Sequence, residues 1–174
     1  MKIAIDIGHA HATGASGNGL QEHEVCAGFA RLLAGYLGNA HEVRIVDFPA
    51  ESNTADLAYA AAAVNDWRAD LCVSLHCDSS DNTSARGAHV IYTSTAGEKC
   101  ATAIARHLCP IMPGRANRTV KKDSLYILNN TRCPAVLVEC GFLSNTRDAD
   151  MLRHEGYRLM RAVAAGIKHY TGLS

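Results

Sequence analysis

Nowhere in these 174 residues do about 18 apolar residues run together, so no membrane-spanning helix is expected. The opening "MKIAIDIGHA" carries one lysine and an apolar run, Ile3 to Ile7, already broken by Asp6. That run is too short and too polar for the apolar core of a secretory signal, so synthesis in the cytoplasm without a signal peptide is expected. No lysine or arginine run exceeds two residues and the formal net charge is zero. This excludes a continuous basic segment of the kind that binds nucleic acid by counterion release, and no nucleic-acid or membrane partner is expected. Seven cysteines (Cys26, Cys72, Cys77, Cys100, Cys109, Cys133, Cys140) contain no CxxC pair. Most sit in apolar contexts such as "DLCVSLHC" and "VLVEC", where buried free thiols are expected rather than disulfides or thiolate metal ligands. No HExxH is present, which excludes a zinc site built on one helix turn. No repeat, low-complexity stretch or linker divides the chain, and residues 1–174 read as one domain.

What the chain does have is a regular alternation. "KIAIDI" reads as a short strand, and a helix starting near Leu20 follows through "EHEVCAGFARLLAGYLG", with Val25, Phe29, Leu32, Leu33, Tyr36 and Leu37 on its apolar stripe. "EVRIVDF" alternates as a strand, "TADLAYAAAAVNDWRA" reads as a helix, and "DLCVSLHC" as a buried strand. "GAHVIYT" is a further strand before a helix through "GEKCATAIARHLCPIM". "TVKKDSLYILNN" reads as one or two extended pieces, and "PAVLVECGF" as a second buried strand. The remainder reads as a short capped turn in "SNTRDADML" and a long terminal helix. The expected fold is α/β: an open, mostly parallel twisted sheet of five to six strands with helices on both faces.

In such sheets ligands bind beyond the carboxyl ends of the strands. Three apolar runs end there in an ionisable residue: "KIAIDIGH" in His9, "LCVSLH" in His76 and "AVLVE" in Glu139. A lone histidine at a strand end is more often hydrogen-bonded than metal-bound, but two imidazoles with a carboxylate are a usual ligand set for a catalytic zinc. Glu139 rises from a β-branched strand where an unpaired carboxylate is costly, so it needs a nearby cation or a raised pKa. The stretch "DIGHAHATGASGNGLQEHEV" supplies further candidates. Its glycines free the backbone, and Glu22 and Glu24 fall in the first turn of the helix, where acidic side chains also serve simply to offset the helix dipole.

The stretches "DIGHAHATGASGNGLQEHEV", "LCVSLHCD", "RTVKKDSLYIL" and "PAVLVECGFLSN" resemble, in order and spacing, the motifs of the zinc-dependent N-acetylmuramoyl-L-alanine amidases of the Amidase_3 type. The resemblance covers essentially the whole chain. It implies one zinc ion held by His9, Glu22 and His76, with Glu139 as catalytic acid and base, and peptidoglycan as substrate. Ile7 stands where the family has proline, and Ala10-His11 where it has a glycine pair. His11 is therefore a spare imidazole near the metal, with Glu24 a second reserve candidate. Arg118, Lys121, Lys122 and Leu125, before and at the start of the "SLYIL" piece, are candidates for binding stem-peptide carboxylates, against the alternative of a solvated surface patch. Asn145 in "FLSN" reads first as a helix cap. "HCDSS" departs from the family's usual His-Ala-Asn. The "LYILN" stretch looks closer to phage endolysins than to cell-separation enzymes, and a holin-type release partner fits an enzyme expected to lack a signal. With the chain ending on its last helix, wall targeting is expected to come from the domain itself or to be weak. Two rival readings are a zinc peptidase acting on the stem peptide and a catalytically silent wall-binding domain. The second is disfavoured because all four site residues are present.

Overall fold

The computed structural model describes residues 1–9, 13–47, 53–114, 116 and 118–173, with residues 53–56 described by their backbone. His11 lies outside the described residues. In chain order the elements are β1 (Lys2–Ile7), β2 (Ser16–Gly17), β3 (Leu20–Gln21), α1 (Glu22–Leu37), β4 (Glu42–Val46), α2 (Asn53–Asp66) and β5 (Leu71–Asp78). There follow β6 (His89–Tyr92), α3 (Thr95–Leu108), β7 (Arg118–Lys121), α4 (Tyr126–Asn130), β8 (Ala135–Phe142), α5 (Thr146–His154) and α6 (Gly156–Thr171).

Six strands form one sheet in the order β4-β1-β5-β8-β6-β7. β4, β1, β5 and β8 run parallel, while β6 pairs antiparallel with β8 and β7 parallel with β6. The period-2 alternation of the strands divides the apolar residues between two cores. Ile3, Ile5, Leu71, Val73, Leu75, Val136 and Val138 pack with residues of α1, α3 and α6. Ala4, Cys72, Ile91 and Leu137 pack with residues of α2 and α4. Each fully buried Ile or Leu contributes about 1.5–3 kcal/mol relative to exposure. All seven cysteines are free, five of them buried and Cys109 and Cys133 half-buried.

The structure corrects the reading of four segments. "YILNN" is not extended but forms the single-turn helix α4. Its neighbours Ile127 and Leu128 are both buried, a pattern a strand cannot satisfy on one face, and side chains of Asn129, Asn130 and Thr131 hydrogen-bond nearby carbonyls. The capped turn in "SNTRDADML" extends into the nine-residue helix α5, because Asn145 accepts from the N–H groups of both Arg147 and Asp148. The buried face of α1 runs through Cys26, Phe29, Ala30, Leu33 and Leu37, leaving Leu32 38% exposed. Finally α1 begins at Glu22, not near Leu20, because Leu20 and Gln21 pair with Ser16 and Gly17 in a hairpin.

One buried carboxylate ties down the loops that leave the sheet beside α5. Asp148 is fully buried, and its Oδ2 accepts from the N–H of Gly87 (2.7 Å) and of Phe142 (3.1 Å). Its Oδ1 lies 3.4 Å from Nε of Arg86. Replacing it by alanine leaves two buried N–H donors without their acceptor and the Arg86 guanidinium without its counter-charge. We expect Asp148→Ala to cost about 3 kcal/mol of stability, read as a shift in the midpoint of urea unfolding with the slope unchanged.

Candidate active site

The carboxyl ends of β1, β5 and β8 bring the polar residues together. β1 ends at Ile7, and Gly8 donates its N–H to the carbonyl of Leu75 at 2.8 Å, locking the chain against β5 just before His9. A Cβ at Gly8 would lie 2.4 Å from that carbonyl oxygen and 2.6 Å from Nδ1 of His76, so only glycine lets the two histidines approach. Gly14, at φ 91°, is pressed equally closely, since a Cβ there would lie 2.7 Å from both Glu22 Oε2 and the His9 ring. His9 itself adopts a left-handed backbone at φ 54°. Its carbonyl accepts from His23 Nδ1 at 2.5 Å, which identifies His23 as a support for His9.

The chain returns through an Asn-Gly hairpin. Asn18 and Gly19 have φ values of 50° and 72°, the left-handed pair that a two-residue turn between antiparallel strands requires. The Asn18 side chain donates to the carbonyl of Leu143 at 2.7 Å, and Arg153 donates to the carbonyl of Asn18 at 2.5 Å. The hairpin is thereby fixed to the chain after β8, and it delivers Glu22 at the first position of α1.

Glu22 is 1% exposed. Its Oε2 accepts from the N–H of Ala15 at 2.7 Å, and its Oε1 from the N–H of Cys77 at 3.0 Å. Oε1 is also 3.0 Å from His76 Nδ1, and Oε2 is 3.7 Å from His9 Nε2. Burial would raise the Glu22 carboxyl, but the hydrogen bonds from His76, Ala15 and Cys77 outweigh it and hold the group below the usual glutamate range. Burial holds the His9 ring below the usual histidine range, favouring the neutral imidazole. For His76 burial acts in the same sense but is overcome by the carboxylates of Glu22, Glu139 and Asp6, so its pKa is raised.

Glu139 stands next to His76 in register across β5 and β8, on the same face of the sheet. A register shift between His76 and Asp78 marks a bulge, a device that re-aims side chains beside a site. Burial pushes the Glu139 carboxyl up to about 7, and its Oε2 is buried without a hydrogen-bond partner among the described residues. Among the described residues, His9, Glu22 and His76 form the single cluster able to offer three ligand atoms, all within 4.8 Å of one another. Two imidazoles and a carboxylate within that span fit a tetrahedral divalent cation of the zinc type. Three acids surrounding His76 also leave a negative charge that such a cation would offset.

The other sequence candidates are spread more widely. Glu24 is exposed and lines a groove with Leu20, Val25 and Tyr157, apart from the histidine cluster. Arg118 and Lys121 are on β7, followed by Lys122; Leu125 is the N-cap of α4 and packs against the core shared with α2. Burial raises the Glu139 carboxyl, with the Lys122 ammonium opposing it in small part, and burial holds His89 below the usual histidine range, with Arg118 and Lys122 acting in the same sense. Lys121 is exposed.

Three features escaped the linear reading. Asp6 is 5% exposed, accepts a 2.6 Å hydrogen bond from Ser74, and is pushed by burial up to about 6. His89 pairs in register with Glu139 from β6 and lies 3.8 Å from Asp78. The Asn-Gly turn is the third. The alternation Ser74, His76, Asp78 on one strand, and an Asp-interrupted β1, were the available signals for the first two.

A family model for N-acetylmuramoyl-L-alanine amidase, Amidase_3, matches residues 3–169. The chain is 30% identical over 178 residues to the N-acetylmuramoyl-L-alanine amidase CwlM of Bacillus licheniformis, covering all of this chain and 68% of that protein. It is 30% identical to LytC of Bacillus subtilis over 168 residues, but spans only 32% of that protein's length. Among solved structures, the catalytic domain of the CD27L endolysin targeting Clostridia difficile superposes with a TM-score of 0.89 at 28% identity, over 97% of each chain. A match over nearly the full length of the sheet and its helices, at these identities, places the chain in the Amidase_3 family of N-acetylmuramoyl-L-alanine amidases.

Proposed function

We propose that the chain is a zinc-dependent peptidoglycan hydrolase that cleaves the amide between N-acetylmuramic acid and the L-alanine of the stem peptide. The observation that carries this reading is the juxtaposition of His9, Glu22 and His76 with Glu139, whose Oε2 is buried without a hydrogen-bond partner among the described residues. CwlM and LytC, which are named for this activity, support the bond that is cut.

His9, Glu22 and His76 would hold the ion. When bound, zinc lowers the pKa of a coordinated water to about 7 and polarises a carbonyl. The chain's own part is proton transfer and positioning. Glu139 is raised towards neutrality by burial, so it can take a proton from the attacking water and return it to the leaving amine of alanine. Glu22 is favoured in its charged form by His76 and by the N–H groups of Ala15 and Cys77, and the two N–H groups also fix its orientation. Asp6, held by Ser74 behind His76, steadies the negative surroundings of that ring. Arg118 and Lys122, on the β7 side of Glu139, suit carboxylates of the stem peptide. The site of action is the cell wall, and among the described residues no helix is long and apolar enough to cross a membrane.

Glu139→Gln should retain zinc at one ion per chain while turnover on purified sacculi falls by about 10²–10⁴-fold; near-normal turnover would remove Glu139 from its role. His76→Ala and His9→Ala should lose zinc from the purified protein, measured by metal analysis. Chelator should stop release of soluble fragments from sacculi, and added zinc should restore it. The new amino terminus should be alanine on an intact stem peptide; cleavage within the peptide would mean a peptidase instead. Replacing Arg118 and Lys122 together by alanine should raise KM for muropeptides several-fold, with a smaller effect on kcat.

A further inference from the structure

On the outer side of the helix layer, α3 and α6 cross and leave two adjoining cavities of about 520 and 290 Å³ that share His107. Their charged lining is of one sign. Arg158 and Arg161 line one cavity, Lys168 and His169 the other, and no carboxylate lines either among the described residues. Between them the rings of His107 and His169 meet edge to face, 5.8 Å apart, and Nε2 of His107 is buried without a hydrogen-bond partner. Of Arg158, Arg161 and Lys168, only Arg158 has an ion-pair partner among the described residues, Glu155 at 3.2 Å.

Compensation of the helix dipole accounts for part of this charge. Lys168 and His169 lie in the last turn of α6, where cations are favoured. Arg158 lies in the first turn of α6, where the N-cap Glu155 pairs with it, and Arg161 lies one turn further on, beyond the reach of the terminal field, so the dipole accounts for neither. Arg161 and Lys168, which have no ion-pair partner among the described residues, and the unpartnered histidine nitrogen beside them indicate an anion as the missing partner. From Arg158 to Lys168 the helix rises roughly 15 Å at 1.5 Å per residue. That length exceeds a single phosphate and suits several anions in series.

We propose that the α3–α6 groove is a second binding site, separate from the hydrolytic one, which takes a phosphodiester polymer of the polyol-phosphate type that is attached to peptidoglycan. The choice of a wall polymer over another polyphosphate rests on the amidase reading. The site holds the enzyme on its insoluble substrate by charge, without ordering the hydrolytic residues. The positive charge of a chain with zero formal net charge is thereby collected on one face.

The test measures retention of the full chain on sacculi that keep their phosphate polymers and on sacculi stripped of them by hydrofluoric acid, with soluble poly(glycerol phosphate) and duplex DNA as competitors. Retention should be at least tenfold greater on the intact sacculi and should be competed by poly(glycerol phosphate) better than by DNA at equal phosphate. Arg161→Gln with Lys168→Gln should abolish that difference and lower the salt dependence of binding by on the order of one unit per cation removed. Arg31→Gln with Arg132→Gln, which removes the same charge elsewhere, should retain it. Hydrolysis of stripped sacculi should be equal in all three proteins. Equal retention on both kinds of sacculi, equal loss in the two double variants, unchanged binding by Arg161→Gln/Lys168→Gln, or DNA competing as well as poly(glycerol phosphate) would each overturn the proposal. Absence of hydrolysis by the unmodified chain would instead refute the amidase reading, and retention would still report on the groove.

Discussion

The Glu22 carboxylate is the point on which the architecture of the site turns. It is almost fully buried, and it is reached by the N–H of Ala15 from the glycine loop, the N–H of Cys77 from β5, and the His76 ring. Three separate stretches of chain are joined through one charged group. A buried carboxylate without those donors would be several kcal/mol out of place. The same contacts that make its burial tolerable also fix the distance between the two histidines. The close packing of Gly8 on His76 and of Gly14 on Glu22 and His9 follows from this requirement.

Burial acts differently on neighbouring groups of the same kind. Glu22 and Glu139 are both shielded from water, yet one is held below the usual range and the other is raised to about 7. The difference lies in the partners: Glu22 is held by His76 first and then by two backbone N–H bonds, while Glu139 Oε2 accepts none. A carboxylate favoured in its ionised form at the start of α1 and a carboxylate able to exchange a proton near neutrality on β8 therefore lie side by side, the kind of separation that distinguishes acid from base.

Charge is distributed on a larger scale by the same logic. The linear sequence is neutral and lacks a basic run. Folding nevertheless places Arg158, Arg161 and Lys168 around one groove, because positions three, four and seven apart share a helix face. Net charge excludes a generally basic protein. It is silent about a face.

Much of the fold was legible in the chain itself. Buried parallel strands announce themselves as apolar runs, and the ends of those runs marked His9, His76 and Glu139 before any coordinates. The "SLYIL" piece misled because an apolar run of that length has no periodicity to separate strand from helix, and its lodging on the sheet as α4 was decided by tertiary packing of Ile127 and Leu128. Glu22 and Glu24 could not be separated by local pattern, since both sit in the first turn of a helix. The hairpin settled their geometry by aiming Glu22 at the histidines and leaving Glu24 exposed. Asp6 and His89 belong to the site only through strand pairing across the sheet. The sequence determined which elements form and which residue types stand at their ends, because those depend on periodicity and local backbone chemistry. Which of these residues meet, and which carboxylate is charged, depends on contacts between distant segments and was decided by the tertiary structure alone.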